Sequence, residues 1–198
     1  MDKVSVYIDF KSPYSYVAIQ PLIEFSKSEN IELEWLPYTL RLQRPGPSGQ
    51  AEVMYPLHKI RYMYLDVRRF ANAQGLTIKG PERIFDGTVS AIGMLFAEKH
   101  GFFEAYRDTV FERFFKRDLN LDSAQDIAGV IHTLGGEPTG FTAFLEEEGR
   151  LLHSSIQAQA EKLGVFGVPT MVYRGELFWG GDRLEFLRAR VREAKSGF

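Results

Sequence analysis

The chain contains no cysteine. That excludes disulfides, thiolate metal sites and cysteine nucleophiles. Histidine is scarce too: His58, His100, His132 and His153 are scattered. None follows a triad spacing and none clusters with carboxylates at metal-ligand spacing, which argues against acyl-enzyme and metal chemistry. Long apolar runs are missing, so no segment is expected to span a membrane. The opening MDKVSVYIDF enters a strand at once, without a basic stretch followed by an apolar one. No secretory signal is expected, and a cytoplasmic setting fits. Charge of one sign is not in excess. The 24 Lys and Arg face 26 Asp and Glu, a formal net charge of -2. Nucleic acid and anionic membrane are therefore not expected partners. Repeats, low-complexity segments and a Gly-rich phosphate loop are also absent. What remains is 198 residues, 44% hydrophobic, enough for one real core with room for a sizeable insertion.

Val4, Val6, Ile8 and Phe10 alternate with polar positions and predict a strand. Ser12 suits an N-cap and Pro13 the first helical position. Ala18, Leu22 and Phe25 continue at helical spacing, with Pro21 expected to kink the helix. Ile31, Leu33 and Trp35 mark a second strand, which makes a βαβ unit with a parallel pair. RLQRPGPSGQ (41–50) reads as a polar loop, and a long helix is predicted over 51–74, ended by Gly75. Helical patterns fill 88–162, broken near His100-Gly101, at 120–123 and at 135–138. Asp122 or Ser123 can cap one of these helices. Thr170–Tyr173, a turn at Arg174-Gly175 and Glu176–Trp179 read as a hairpin. A last helix is predicted from Asp182, with Leu184, Leu187 and Val191 on one face. The predicted fold is α/β, a thioredoxin-like βαβ…ββα core with a large all-helical insertion. The expected division is 1–42 and 160–198 for the core and 43–159 for the insertion.

Four stretches carry residues able to do chemistry. In KSPYSY, Ser12 stands where a strand delivers the chain to a helix N-terminus, a place that stabilises an anion. It is either a cap alone or a hydroxyl that donates to a bound thiolate and lowers its pKa. A disulfide exchange role is excluded, because Ser12 and Ser15 hold the positions a dithiol would need. In GVFGVPTMV, Val168-Pro169 is either a strand entry or a backbone edge that pairs with a peptide. Phe166 is core or a site wall. In FWGGDRL, Asp182 is either an N-cap or a group that takes an ammonium. On the 51–74 helix, Lys59 is either solvated surface or a site residue, and Asp66 and Arg69 form an i,i+3 pair.

DFKSPYSYVA, VFGVPTMV and FWGGDRL, in this order and with a helical insertion of this size, resemble the 2-hydroxychromene-2-carboxylate isomerases. These belong with the kappa-class glutathione transferases in the DsbA-like branch of the thioredoxin fold. KIRYMYLDVRRFA matches a family helix in character and position. The resemblance implies glutathione as cofactor, its sulfur hydrogen-bonded by Ser12 as the catalytic residue. It implies that Val168, before a cis Pro169, pairs with the cysteinyl backbone. Trp179, Asp182 and Arg183 match the segment holding the γ-glutamyl end, and Lys59 a lysine near the pocket. The sequence departs from the naphthalene-pathway isomerases in two places. Gln43 and Arg44 stand where those carry a Lys followed by Asn, and Ile84 beside Arg83 stands in place of a Tyr. Arg44 and Arg83 are thus the expected binders of an aromatic or unsaturated carboxylate substrate. The implied activity is a glutathione-dependent isomerisation by reversible thiolate addition. A kappa-like transferase or a non-catalytic binding protein of this fold are the alternatives. The family's habit implies a homodimer.

Overall fold

The computed structural model describes residues 2–45 and 51–197, without the side chains of 44, 45, 51 and 52. Strand β1 (Lys3–Ile8) leads to helix α1 (Pro13–Glu29) and strand β2 (Glu32–Pro37). β1 and β2 pair in parallel, with Val6 opposite Trp35. The chain returns to this sheet only with β5 (Thr170–Tyr173) and β6 (Glu176–Trp179), followed by a 3-10 turn (Gly181–Arg183) and α8 (Leu184–Ser196). The sheet order is β2-β1-β5-β6, and β5 runs antiparallel to both neighbours. This is the predicted core, and the hairpin has the predicted bounds.

Between β2 and β5 lie, among the described residues, a short hairpin, β3 (Gln43–Pro45) with β4 (Ala51–Val53), and six helices. They are α2 (Leu57–Ala73), α3 (Thr88–Lys99), α4 (Phe103–Lys116), α5 (Ala124–Thr133), α6 (Pro138–Glu146) and α7 (Glu148–Leu163). Among the described residues, no helix is long and apolar enough to cross a membrane.

Several elements differ from expectation for identifiable reasons. The first inserted helix begins at Leu57 rather than 51. Pro56 disfavours helix at the residue before it and holds its own φ at -66° with an extended ψ, so it opens the helix instead of lying within it. Residues 51–53 pair with 43–45, so the expected polar loop is partly a ladder. Helix α1 runs on through Pro21. A further break falls at Glu147, between α6 and α7, where no Gly or Pro marks it. Ser123, of the two candidates, caps α5 by accepting from the Asp126 amide.

The insertion is bolted to the core through aromatic rings close to Ser12. Tyr16 of α1 stacks on Phe111 and Phe115 of α4 at 5.2 and 5.4 Å between centroids. Phe10 meets Phe111 at 4.8 Å and the edge of Tyr106 at 5.8 Å. Offset and edge-on pairs of this kind add stabilisation beyond their buried area. Tyr106 is fully buried and donates its hydroxyl to the Ser90 carbonyl at 2.8 Å. The approach depends on Gly93, where a Cβ would lie 2.1 Å from that hydroxyl oxygen.

Candidate active site

Ser12 caps α1 from an extended conformation, its Oγ accepting from the Ser15 amide at 3.1 Å. This satisfies one of the orphan amides at the helix start, and Pro13 removes another. The Tyr14 amide has no acceptor among the described residues. The same Ser12 Oγ lies 3.5 Å from the carbonyl oxygen of Val168, a long contact between buried groups. Capping and facing the Val168 segment are thus done by one hydroxyl.

The Val168–Pro169 peptide is cis. The Val168 amide has no acceptor among the described residues, although the residue is buried. An unpaired backbone donor on such a residue marks a place where a ligand can complete the pairing. The Pro169 carbonyl accepts from Gly180, and the Thr170 hydroxyl donates to the Gly167 carbonyl at 2.7 Å. The first of these bonds draws the end of β6 to the start of β5, and the second closes the turn before β5. Trp179, half exposed, meets Phe166 edge-on at 4.8 Å. Phe166 is therefore an exposed wall rather than core. The indole presses on Gly167, where a Cβ would stand 2.6 Å from its Nε1.

Asp182 and Arg183 follow on the 3-10 turn and pair with each other at 3.0 Å, both exposed. Asp182 makes no capping hydrogen bond, so the expectation of an N-cap is corrected. Its carboxylate instead packs beside Gly180, which at φ +97° and with no Cβ leaves it room. Ser12, Val168, Pro169 and Trp179 therefore gather at one end of the sheet, with Asp182 and Arg183 at its edge. Lys59 stands exposed on the first turn of α2, its Nζ 4.2 Å from the centroid of the Tyr55 ring. No hydrogen bond or ion pair links it to Ser12 among the described residues. Its helix is nonetheless tied to α1, since the Tyr14 hydroxyl donates to Asp66 at 2.9 Å. Burial first, and this carboxylate second, push the Tyr14 phenol well above its ordinary range. Asp66 also pairs with Arg69 at 3.0 Å, as the spacing predicted.

Residues that sequence reasoning missed build the floor of the site. Asp9 and Lys11 form an ion pair of 3.2 Å with both side chains only 4% exposed. Asp9 also accepts from the Lys11 amide at 2.9 Å and from the Leu40 amide at 2.7 Å. Lys11 Nζ donates to the carbonyls of Leu40 and Asp86. A buried pair survives only when its remaining lone pairs and protons are met, as they are here. Gly87 provides space for the ammonium, since a Cβ there would sit 3.3 Å from Nζ. The residue just before Ser12 thus fastens the site turn to both the β2 exit and the insertion.

Those two segments border a cleft of about 760 Å³ that also meets α7. Arg83 lines it, but its charge is engaged by Asp122 at 2.8 Å and by Asn120 at 2.9 Å, over the face of Phe85. Arg44 lies in β3 opposite Glu52, and its side chain falls outside the described residues. Asp86, also on the cleft, is drawn upward by burial, yet hydrogen bonds from Thr88 outweigh this and hold it below its ordinary value.

This topology, with a helical block between β2 and β5 and a helix N-terminus facing a cis-proline, defines a class. The chain belongs to the DsbA-like thioredoxin-domain family, whose model matches residues 3–192. Among characterised relatives, the 2-hydroxychromene-2-carboxylate isomerase of Pseudomonas putida is 27% identical over 194 residues, covering 95% of this chain and 93% of that one. The kappa 1 glutathione S-transferase of Rattus norvegicus is 24% identical over 210 residues, with 98% and 92% covered. A solved structure of a 2-hydroxychromene-2-carboxylate isomerase superposes with a TM-score of 0.79 at 25% identity, covering 97% of this chain and 95% of that one.

Proposed function

We propose that this protein is a glutathione-dependent isomerase acting on an aromatic or unsaturated carboxylic acid. The observation that carries the reading is the contact of the Ser12 hydroxyl, at a helix N-terminus, with the carbonyl of Val168, a residue whose own amide has no acceptor among the described residues. In a chain without cysteine, that arrangement supports a centre serving a thiol that the ligand brings. The names of the relatives, isomerase and kappa transferase, support the same reading. When bound, glutathione supplies a thiolate that adds reversibly to an electrophilic carbon, so that a double bond can rotate as a single one. The chain's own residues bind, orient and tune. The Val168 amide and carbonyl pair with the peptide backbone, as an added strand would. The Ser12 hydroxyl and the α1 N-terminus stabilise negative charge on sulfur. Trp179, Asp182 and Arg183 hold the far end, the last two after exchanging their mutual ion pair for the ligand's ammonium and carboxylate. Lys59 reaches the same pocket from α2. Arg44 and Arg83 take the substrate carboxylate, Arg83 by sharing its charge with Asp122. A reduced glutathione pool belongs to the cytosol, so the reading carries a cytoplasmic setting with it. A homodimer is part of the same proposal.

The test is a thermal-shift titration with reduced glutathione, followed by turnover of 2-hydroxychromene-2-carboxylate with the thiol counted. Saturable stabilisation and isomerisation without thiol loss support the reading. The likeness to the kappa transferase keeps one alternative, conjugation, and stoichiometric loss of thiol would select it. No stabilisation at millimolar glutathione would point to a non-catalytic member of the fold.

A further inference from the structure

The cleft beside the Ser12 turn has a volume suited to a small bicyclic ligand. Thr39, Arg41, Arg83, Phe85, Asp86 and His153 stand in its walls. Of the four histidines, His153 alone is buried. Its Nε2 lies 2.8 Å from the Thr39 hydroxyl, and the Thr39 amide donates to Gln157 at 2.9 Å, which fixes that contact. Among the described residues nothing pairs with Nδ1, and no buried side-chain nitrogen or oxygen lacks a partner. Nδ1 therefore keeps some access to solvent, on a residue that lines the cleft. A hydroxyl both donates and accepts, so the ring can carry its proton on either nitrogen without moving. The charged groups around it are Asp86 from the approach to α3, and Asp9 and Lys11 from the end of β1. Burial dominates and holds the imidazole below its ordinary 6.5; Asp86 and Asp9 pull upward, and Lys11 adds to the lowering. At neutral pH the cleft thus presents an uncharged base.

We propose that His153 is the proton-transfer group of this cleft, acting on a cyclic hemiketal of an aromatic 2-oxo acid. The inference rests on the reading above and deepens it. Nδ1 accepts the hemiketal hydroxyl proton as that C–O bond becomes C=O. The ring C–O bond breaks, and its electron pair goes to the phenolic oxygen. The imidazolium then returns the proton to the phenolate, with Asp86 stabilising its charge meanwhile. Nothing is oxidised or reduced, and the product is the open keto acid. Arg41, on the same cleft as Arg83, adds a further cation beside Arg44 and Arg83 at the carboxylate. It is 79% exposed in its side chain and only loosely paired, 3.7 Å from Glu161.

Nitrogen NMR of the His153 ring during titration with chromone-2-carboxylate, a stable ring analogue, tests the site without glutathione. The expected result is a saturable shift of both ring nitrogens. Kinetics with 2-hydroxychromene-2-carboxylate test the proton transfer. In His153→Gln, kcat falls by about 100-fold. The acidic limb of the pH profile, which lies below 6.5 in the wild type, disappears, while glutathione still raises the melting temperature. Ring nitrogens that do not respond overturn the proposal, as does a His153→Gln enzyme that keeps its kcat within threefold or its acidic limb. Failure of glutathione to stabilise the wild type counts against the Ser12 reading; the analogue titration still decides the cleft.

Discussion

The hydroxyl oxygen of Ser12 lies 3.5 Å from the carbonyl oxygen of Val168, across 156 residues of chain. The contact is too long to bind strongly, and that leaves the hydroxyl free for a better acceptor. One oxygen is thereby both a helix cap and a contact of the Val168 segment, whose amide is unpaired among the described residues.

Replacing Ser12 with Ala removes the cap and the proposed sulfur donor together. The cap alone is worth about 1 kcal/mol. Denaturant unfolding of the ligand-free protein should show a loss of that size. A loss above about 3 kcal/mol would mean that Ser12 has a larger structural role than the cap contact supports.

Lys11→Met leaves the buried Asp9 carboxylate with its two backbone amides but without its counter-charge. Breaking a buried pair in this way costs about 3–5 kcal/mol. The double variant Lys11→Met with Asp9→Asn should recover much of the loss, because no charge is then stranded. Urea unfolding of the three variants measures the coupling. Additive losses would show that the two groups do not act as a pair.

Trp179 and Phe166 wall the Val168 segment, and Gly167 leaves space for the indole. Gly167→Ala should push the indole aside at little cost to stability, since Trp179 is half exposed. Its tryptophan fluorescence should shift, and the glutathione affinity should fall by about tenfold, about 1.4 kcal/mol. Unchanged affinity, measured by calorimetry, would remove this aromatic wall from the site.

Glu29 joins α1 to α8 through Arg192 and Arg188. The Arg192 hydrogen bond chiefly, with Arg188 adding to it and burial opposing, holds its carboxyl down to about 2 from an ordinary 4.5. A depressed folded value means that the unfolded chain binds the proton first. The stabilisation is therefore present above pH 4.5 and drains away as pH falls toward 2. Unfolding midpoints across that window should fall in the wild type and fall less in Glu29→Gln. Parallel curves would contradict the assignment.

The legible parts of the fold were those set by neighbours in sequence. Two β-rich stretches around the Arg174-Gly175 turn marked the hairpin, and Ser12-Pro13 marked the helix start because capping is a local event. Pro56 was an equally local signal, and taking it as the opening of a helix would have moved the predicted start from 51 to 57. The Val168 and Trp179 motifs could be placed beside Ser12 only by resemblance, since spacing does not say that β5 lies against β1. The rest of the site had no local mark. Lys11 finds its acceptors 29 and 75 residues away, and His153 meets Thr39 across 114. In the sequence, one is a lysine after a strand and the other a histidine on a helix. Only the topology makes them neighbours of the same turn.

The central claim is that this chain lowers the pKa of a borrowed thiol. Ultraviolet titration of glutathione bound to the wild type and to Ser12→Ala, following thiolate absorbance against pH, measures it directly. The account predicts a bound thiol ionising at least about one unit below free thiol in the wild type, about 1.4 kcal/mol, and returning toward the free value in Ser12→Ala. A bound thiol that titrates like free glutathione in the wild type, or equally in both proteins, would contradict it.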